Sequence, residues 1–228
     1  QWTAATKDMT VWTTSQNPHI IRFGLSAVTL PMLDEHKLRV ISPDVGGGFG
    51  SKIFHYPEEV IVPWIAMKIN RPCKWVATRS ESFMTDSQGR DHVQKCKMAL
   101  KSDGTMTGLY AELHADMGAY LSSIAPLIPT VICITLFSGL YKNPGIWGET
   151  TGTLTNTVPV DAYRGAGRPE ASYLVERLVD VAAQELKMDP IEIRRKNFIG
   201  KDEFPYQTPV AFLYDSGDYH AMFDKLEE

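Results

Sequence analysis

Several features that mark particular classes of protein are scarce in this chain. Only 3 of its 228 residues are cysteines, and Cys73, Cys96 and Cys133 form no CxxC pair, so neither a disulfide framework nor a cysteine-rich metal site is predicted. Such cysteine usage is typical of a reducing compartment, and we expect a cytoplasmic protein. Lysine and arginine number 23 against 27 aspartate and glutamate residues, without long blocks of one sign. No nucleic-acid or anionic-membrane partner is therefore predicted.

Long apolar segments and common catalytic motifs are also missing. The longest apolar stretch, residues 124–136, is interrupted by Pro126 and Pro129, which makes it too short to span a bilayer, and we expect it to be buried loop or pocket lining. The six histidines are isolated from one another, so no zinc or iron centre is predicted. There is no GxSxG nucleophile motif. Because the chain lacks an initial methionine and residues 224–228 continue a helical pattern, we expect it to be part of a larger polypeptide.

The remaining composition predicts a globular protein, since 43% of the residues are hydrophobic. Strand and helix patterns occur in mixed order, which favours an α+β fold with mixed or antiparallel sheets over a doubly wound one. Strands are predicted at 37–45, 74–78, 93–101, 106–116 and 152–156, with a hairpin turn at 102–105. Helices are predicted at 56–70, mostly buried and containing Pro63, at 169–186 with an apolar face of Leu174, Leu178, Val181, Ala182 and Leu186, and from the N-cap Asp189 onward.

The first of two glycine-rich loops, residues 45–52, has the sequence VGGGFGSK. A serine separates its last glycine from Lys52, so the phosphate-loop pattern is not met. Its glycines are also spaced too closely for the dinucleotide fingerprint. A tight turn packed by Phe49 is the alternative explanation for this loop alone.

The second glycine loop, residues 162–170, has the sequence AYRGAGRPE. Arg164 and Arg168 flank a glycine-alanine-glycine turn at a predicted helix N-terminus, where free N–H groups and the helix dipole favour an anion such as a phosphate or a pterin. Alternatively, both arginines pair with Glu170 or Glu176 at the surface. Because glycine permits close approach of the backbone to a ligand, we interpret the two loops as gripping a large anionic cofactor from two directions.

A polar turn at residues 13–19 contains Gln16, whose amide can donate and accept hydrogen bonds and so suits an oxo group or a pterin edge. Four segments, 14–17, 45–52, 162–171 and 194–199, have the order and spacing of the molybdenum-binding large subunits of the xanthine dehydrogenase and aldehyde oxidase family. This chain resembles that family over essentially its whole length. Within the family it looks most like the large chains of aerobic carbon monoxide dehydrogenases.

The resemblance implies a molybdenum-dependent oxidoreductase that hydroxylates its substrate with oxygen from water. Residues 1–228 would be the first molybdopterin-binding domain of a larger subunit. The cofactor would be molybdopterin with molybdenum, in bacterial members usually the cytosine dinucleotide. Gln16 would approach an oxygen ligand of the metal, the first loop would face its apical ligand, and Arg164 with its loop would close over it. The cofactor-binding residues implied are Gln16, Gly47, Gly48, Phe49, Gly50, Arg164, Gly165, Ala166 and Gly167.

The resemblance also implies partners and a missing catalytic group. No residue of this chain would bind the metal directly, and the family's glutamate base would lie beyond residue 228, in the C-terminal part of the large subunit. Electrons would pass to a small subunit with 2Fe-2S clusters and a medium subunit with FAD. The alternative function is a non-catalytic molybdopterin-binding or assembly module. A purely structural domain would require both arginines of the second loop to be exposed and paired away from any cavity.

Two departures from the family pattern bear on the substrate. Carbon monoxide dehydrogenases carry a copper-binding cysteine where this chain has Gly165, so copper and carbon monoxide oxidation are not predicted, although a genuine carbon monoxide dehydrogenase large chain stays an alternative. Purine-oxidising members carry a glutamate and an aromatic ring where this chain has Ile53 and Ala166. The expected substrate is therefore an aldehyde or an N-heteroaromatic molecule.

Overall fold

The computed structural model describes residues 1–29 and 33–228. The chain forms two compact units, each assembled from segments that are distant in sequence. The first unit consists of Gln1–Gly89, Ala119–Ser123 and Asn156–Arg164, and the second of Arg90–Gly118, Ile124–Thr155 and Gly165–Glu228. The chain contains both helices and small mixed or antiparallel sheets, so the predicted α+β class is confirmed.

The first unit is built on a three-stranded sheet in the order β1 (Trp2–Thr3), β2 (Asp8–Trp12), β3 (Leu38–Ile41). β2 pairs antiparallel with β1 and parallel with β3. Its helices are α1 (Pro18–Gly24), α2 (Pro57–Ile69) and α3 (Arg79–Thr85), with a π-helical turn at Leu25–Thr29 and a 3₁₀ turn at Glu35–Lys37. The buried core of this unit contains Met9, Val11, Ile21, Leu25, Leu33 and Leu38.

Helix α2 confirms the predicted helix at 56–70 but not its burial. Proline at its first position and the Glu59 carboxylate, which accepts from the Tyr56 N–H at 3.2 Å, define its start. Pro63 lies inside the helix, as expected. The prediction that the helix is mostly buried is wrong, since Ile61 and Trp64 are exposed. Apolar residues occur on all sides of this helix. Only one side can pack against the core of the unit, so apolar residues on the other sides stay exposed.

The predicted strand at 74–78 is also wrong. These residues belong to no strand of the described chain. The helix α3 follows directly, and its first turn is a capping box in which Thr78 accepts from the Glu81 N–H at 3.2 Å while the Glu81 carboxylate accepts from the Thr78 N–H at 2.7 Å. A β-favouring composition forms a strand only where tertiary structure supplies a partner.

The second unit contains a three-stranded sheet in the order β4 (His92–Leu100), β5 (Met106–Gly118), β6 (Ile146–Leu154). β4 and β5 form the predicted hairpin, whereas β6 runs parallel to β5 and begins earlier than predicted. Residues 124–136, expected to be loop, contain helical turns at Ala125–Leu127 and Ile128–Ile132. The helices are α4 (Arg168–Leu186), α5 (Pro190–Asn197) and α6 (Tyr219–Glu227), with a 3₁₀ turn at Lys201–Glu203 and a two-stranded sheet of β7 (Tyr206–Gln207) and β8 (Leu213–Tyr214).

Helix α4 lies at the predicted position and packs on the core of this unit. Of its predicted apolar face, Leu174 and Ala182 are buried, and Leu178 and Leu186 pack against the core while partly exposed. Val181 was placed on this face wrongly, since it is largely exposed. The buried set also contains Ala171, Val175, Val179 and Ala183.

The family-like segment 194–199 is structural. The Arg194 guanidinium donates from Nε to Glu176 at 2.9 Å and from Nη2 to Asp180 at 2.8 Å, which links α5 to α4. Asn197 is 2% exposed. Its Nδ2 donates to the Gly104 carbonyl at 2.9 Å, and its Oδ1 accepts from the Met106 N–H at 2.8 Å, so it joins α5 to the β4–β5 hairpin.

Replacing Asn197 by leucine, which has a similar volume, is expected to destabilise the protein by at least about 2 kcal/mol, because buried backbone groups lose their partners at about 1–3 kcal/mol each. The free energy of unfolding is measured by urea titration. Gln184→Met, an amide-to-apolar change on the exposed face of α4, is the control and is expected to change stability by less than about 0.5 kcal/mol. An Asn197→Leu variant as stable as this control would contradict the assignment.

Candidate functional site

The first glycine loop is held in a strained conformation. Gly46, Gly47 and Gly50 have positive φ angles, and so does Phe49 at 53°. A bulky residue in the left-handed region is uncommon and occurs where the surroundings enforce it. The Phe49 side chain is nevertheless 59% exposed. The loop therefore packs this ring against Gly47 and leaves more than half of it exposed at the surface of the first unit.

Three of the loop glycines lie against neighbouring protein groups, and a Cβ on Gly47 would overlap the Phe49 ring. A Cβ on Gly48 would overlap the Gln16 side chain, and a Cβ on Gly50 would overlap the Ala162 carbonyl. These glycines thus allow other parts of the protein, and not only a ligand, to approach the loop closely. Around Gly46 no atom lies within 4 Å of an added Cβ, so this glycine is the most open of the loop.

Gln16 is bound to the first loop by main-chain and side-chain contacts. Its N–H donates to the Lys52 carbonyl at 3.1 Å, and its Oε1 accepts from the Gly50 N–H at 3.1 Å. The Nε2 group has no partner among the described residues. A glutamine amide carries two N–H donors besides its oxygen, so Gln16 has hydrogen-bonding capacity left for a ligand.

Lys52 closes the loop. Its Nζ donates to the Val45 carbonyl at 2.6 Å, which ties the two ends of the loop together. The Tyr56 hydroxyl donates to the Ser51 carbonyl at 2.8 Å. Burial raises the pKa of Tyr56 above its ordinary value, so the hydroxyl stays a neutral donor at physiological pH. These contacts agree with the failure of the phosphate-loop pattern in the sequence.

The second loop meets the first at Arg164. The Arg164 N–H donates to the Phe49 carbonyl at 2.9 Å, and the Arg164 guanidinium carbon lies 5.8 Å from the centre of the Phe49 ring, within cation–π range. The structure therefore brings Gln16, the first loop and Arg164 together in the first unit.

Sequence reasoning missed the buried residues that hold Ala162 and Arg164 in place. Asp161 is 2% exposed, and its carboxylate accepts from the Ser122 hydroxyl and from the Ala162 N–H. Its own N–H donates to the Gln88 carbonyl at 2.8 Å. An aspartate one residue before the loop is visible in the sequence, but nothing local identifies Ser122 as its partner.

Gly165, Ala166 and Gly167 form the turn that follows Arg164 and belong to the second unit. Their φ angles are 97°, 37° and 91°, so Ala166 adopts a conformation that favours glycine. The Gly165 carbonyl accepts from the Arg168 N–H at 3.1 Å and from Arg168 Nη1 at 3.2 Å. A Cβ on Gly167 would lie 3.0 Å from the Ile128 carbonyl oxygen. Neighbouring main-chain groups thus pack closely around the turn.

The helix N-terminus after this turn differs from the anion site we predicted. The Arg168 N–H is used by the turn, Pro169 has none, and Glu170 places its carboxylate in the first turn. The alternative was that Arg164 and Arg168 pair with Glu170 or Glu176. In the structure Glu170 pairs with Arg90, and Glu176 pairs with Arg194. The described part of the chain contains no group of three or more His, Cys, Asp or Glu residues placed to hold a metal ion.

These residues fit an organic cofactor better than a bare metal ion. Gln16 offers an amide donor, the main chain around Gly46 is open, and Arg164 places a guanidinium beside an exposed ring. Among the described residues no helix is long and apolar enough to cross a bilayer.

Comparison with known proteins identifies the family of this chain. A family model described as the molybdopterin cofactor-binding domain matches residues 1–198. The carbon monoxide dehydrogenase large chain of Hydrogenophaga pseudoflava is 42% identical over 96% of this chain and 27% of its own length. The nicotine 6-hydroxylase large subunit of Paenarthrobacter nicotinovorans is 33% identical over 96% of this chain and 26% of its own.

A solved structure gives the same result. The crystal structure of quinoline 2-oxidoreductase from Pseudomonas putida 86 superposes with a TM-score of 0.94 at 30% identity, over 100% of this chain and 29% of that one. This chain therefore spans a little over a quarter of the length of these three relatives. It belongs to the molybdopterin cofactor-binding domain family, among the relatives of carbon monoxide dehydrogenase and xanthine dehydrogenase.

Proposed function

We propose that this chain is the molybdopterin-binding part of a molybdenum hydroxylase that oxidises an aldehyde or an N-heteroaromatic substrate. The observation that carries the proposal is the junction of the two glycine loops, where the Arg164 N–H donates to the Phe49 carbonyl at 2.9 Å beside Gln16. In the net reaction a C–H bond of the substrate is replaced by C–OH with oxygen from water, and two electrons and two protons are released. The electrons would pass to partner subunits carrying 2Fe-2S clusters and FAD.

When bound, molybdopterin would supply a molybdenum centre that accepts the two electrons. Gln16 Nε2 would donate to an oxygen ligand of that centre, because Oε1 is already engaged by Gly50. The main chain of the first loop at Phe49 and Gly50 would help to hold the cofactor beside Gln16. Arg164 would hold the anionic cofactor by charge, and its main-chain bond to Phe49 fixes the backbone from which the guanidinium extends.

The proposed cofactor form, partners and location follow from the same assignment. A cytosine dinucleotide form of molybdopterin is proposed on the family resemblance. The C-terminal part of the large subunit would complete the site and supply the glutamate base. The low cysteine content favours the cytoplasm.

The turn at 165–167 argues against carbon monoxide as the substrate, although one relative is a carbon monoxide dehydrogenase large chain. A Cβ on Gly165 would lie 2.6 Å from Pro169 Cδ, and the φ of Gly165 is 97°. A cysteine would therefore require a different turn. Without a thiolate here the family's copper site is absent, and the small side chains leave room for a ring-sized substrate.

Replacing Arg164 by alanine in the complete enzyme is expected to lower molybdenum content or kcat/KM by roughly 10- to 100-fold, since a charge-assisted contact in a desolvated site is worth about 1.5–3 kcal/mol. Metal analysis and dye reduction with an aldehyde measure the two quantities. Arg177→Ala, on an exposed position of α4, is the matched control. Full metal content and an unchanged rate in the Arg164 variant would show that this arginine is a surface residue. Bound molybdenum without turnover in the wild type would favour a non-catalytic cofactor-binding module.

Compared on kcat/KM, an aromatic aldehyde or N-heterocycle is expected to exceed carbon monoxide by roughly two orders of magnitude or more, because rate depends on differential binding of the transition state. The assay uses purified holoenzyme with a dye acceptor, and copper is determined in the same sample. Efficient carbon monoxide oxidation together with stoichiometric copper would overturn this interpretation of the second loop.

A further inference from the structure

In the second unit the buried carboxylate of Glu170 pairs with Arg90, whose side chain is 31% exposed. Glu170, in the first turn of α4, is 8% exposed, and its Oε1 lies 3.6 Å from Arg90 Nε. Its Oε2 is sealed from solvent and forms no hydrogen bond with the described residues. Removing a carboxylate from water costs several kcal/mol unless a partner offsets it, and breaking such a pair is far more costly than breaking one at the surface. This pair is therefore unlike the exposed ion pairs elsewhere on the protein.

The pair lies directly beneath the glycine-alanine-glycine turn. Arg90 Nη2 is 3.8 Å from the position that a Cβ on Gly165 would occupy. Arg90 and Ala166 are both non-glycine residues with positive φ, 64° and 37°. Such a conformation is unfavourable for a residue with a Cβ and persists only where its surroundings enforce it. Strained backbone thus occurs both at the turn and at the arginine that supports it.

A ligand site is the other explanation for a buried acid beside a cavity. A cleft of about 350 Å³ does lie here, lined by Arg90, His92, Gln94, Pro169, Glu170 and Tyr173. Burial lowers the pKa of His92, so its imidazole is neutral at physiological pH. The Glu170 Oε2 atom has no accessible surface, so a molecule in the cleft could not reach it without rearrangement. The Oε2 atom is therefore enclosed by the protein and not available to a ligand in the cleft.

We infer that Arg90 and Glu170 are positioning residues for the Gly165–Gly167 turn. This inference rests on the proposed function in one respect, namely that the turn would lie over the metal. The Glu170 carboxylate holds the Arg90 guanidinium, and the guanidinium supports the turn at Gly165. Glu170→Gln keeps the size of the side chain but removes its charge, so the guanidinium loses the partner that fixes it and the turn loosens.

Limited trypsin digestion of the cofactor-free protein tests the inference without any enzyme activity. Within the loop, trypsin cleaves after Arg164, whereas the Arg168–Pro169 bond resists it. If the pair fixes the turn, Glu170→Gln is expected to raise the cleavage rate after Arg164 by roughly 5- to 10-fold, since the rate follows the population of the locally open state. Glu185→Gln, an exposed position on the same helix, should leave the rate unchanged. Equal rates in the two variants would overturn the inference.

The holoenzyme supplies a second readout. Glu170→Gln and the milder Glu170→Asp, which keeps the charge, are each loaded with cofactor. We expect full molybdenum content, a roughly 10-fold lower kcat with little change in KM, and an altered Mo(V) electron paramagnetic resonance signal in Glu170→Gln. Glu170→Asp should recover part of kcat and of the signal. An unchanged signal and kcat in a folded, loaded Glu170→Gln variant would contradict positioning.

Failure of the proposed function has a different outcome from failure of this inference. If the wild-type protein binds no molybdenum, the proposed function fails, yet the tryptic difference at Arg164 still decides whether the pair holds the turn. If the wild type is active while Glu170→Gln matches it in cleavage, kcat and resonance signal, the inference alone fails.

Discussion

The contact between the two glycine loops is the constraint on which the site depends. The Arg164 N–H donates to the Phe49 carbonyl at 2.9 Å, and the Ala162 carbonyl fills the space that a side chain at Gly50 would need. Two peptide segments can approach this closely only where a Cβ is missing. Gln16 then fits beside Gly48 for the same reason, with its oxygen bound to the Gly50 N–H. The glycines of the first loop therefore allow Gln16 and the second loop to pack closely at the site without a bound cofactor.

Buried carboxylates hold the second loop at both ends. Asp161 precedes it and is bound by Ser122 and by the Ala162 N–H in the first unit. Glu170 ends it and is paired with Arg90 in the second unit. Charge and hydrogen bonds set direction more strictly than apolar contact does, because a buried carboxylate without its partners costs several kcal/mol. Such anchoring suits a loop whose glycines and alanine offer almost no side chain to pack.

The segments that reveal the family serve two different purposes. The two glycine loops and Gln16 form the candidate site, whereas 194–199 holds the fold. Arg194 joins α5 to α4 through Glu176, and Asn197 satisfies main-chain groups of the β4–β5 hairpin. Similarity in these residues supports the family assignment without implying contact with a cofactor.

The sequence by itself determined the elements whose signals are local. Asp189 caps α5 and accepts from the Ile191 N–H at 2.7 Å, Gly104 turns the hairpin with a φ of 85°, and α4 begins where its proline predicts. The family could likewise be predicted from the sequence, through the order and spacing of four motifs. Tertiary structure alone decided that α2 leaves Trp64 exposed, that 74–78 finds no strand partner, and that Asp161 binds Ser122. Burial and pairing depend on groups far away in sequence, whereas caps and turns are completed within a few residues.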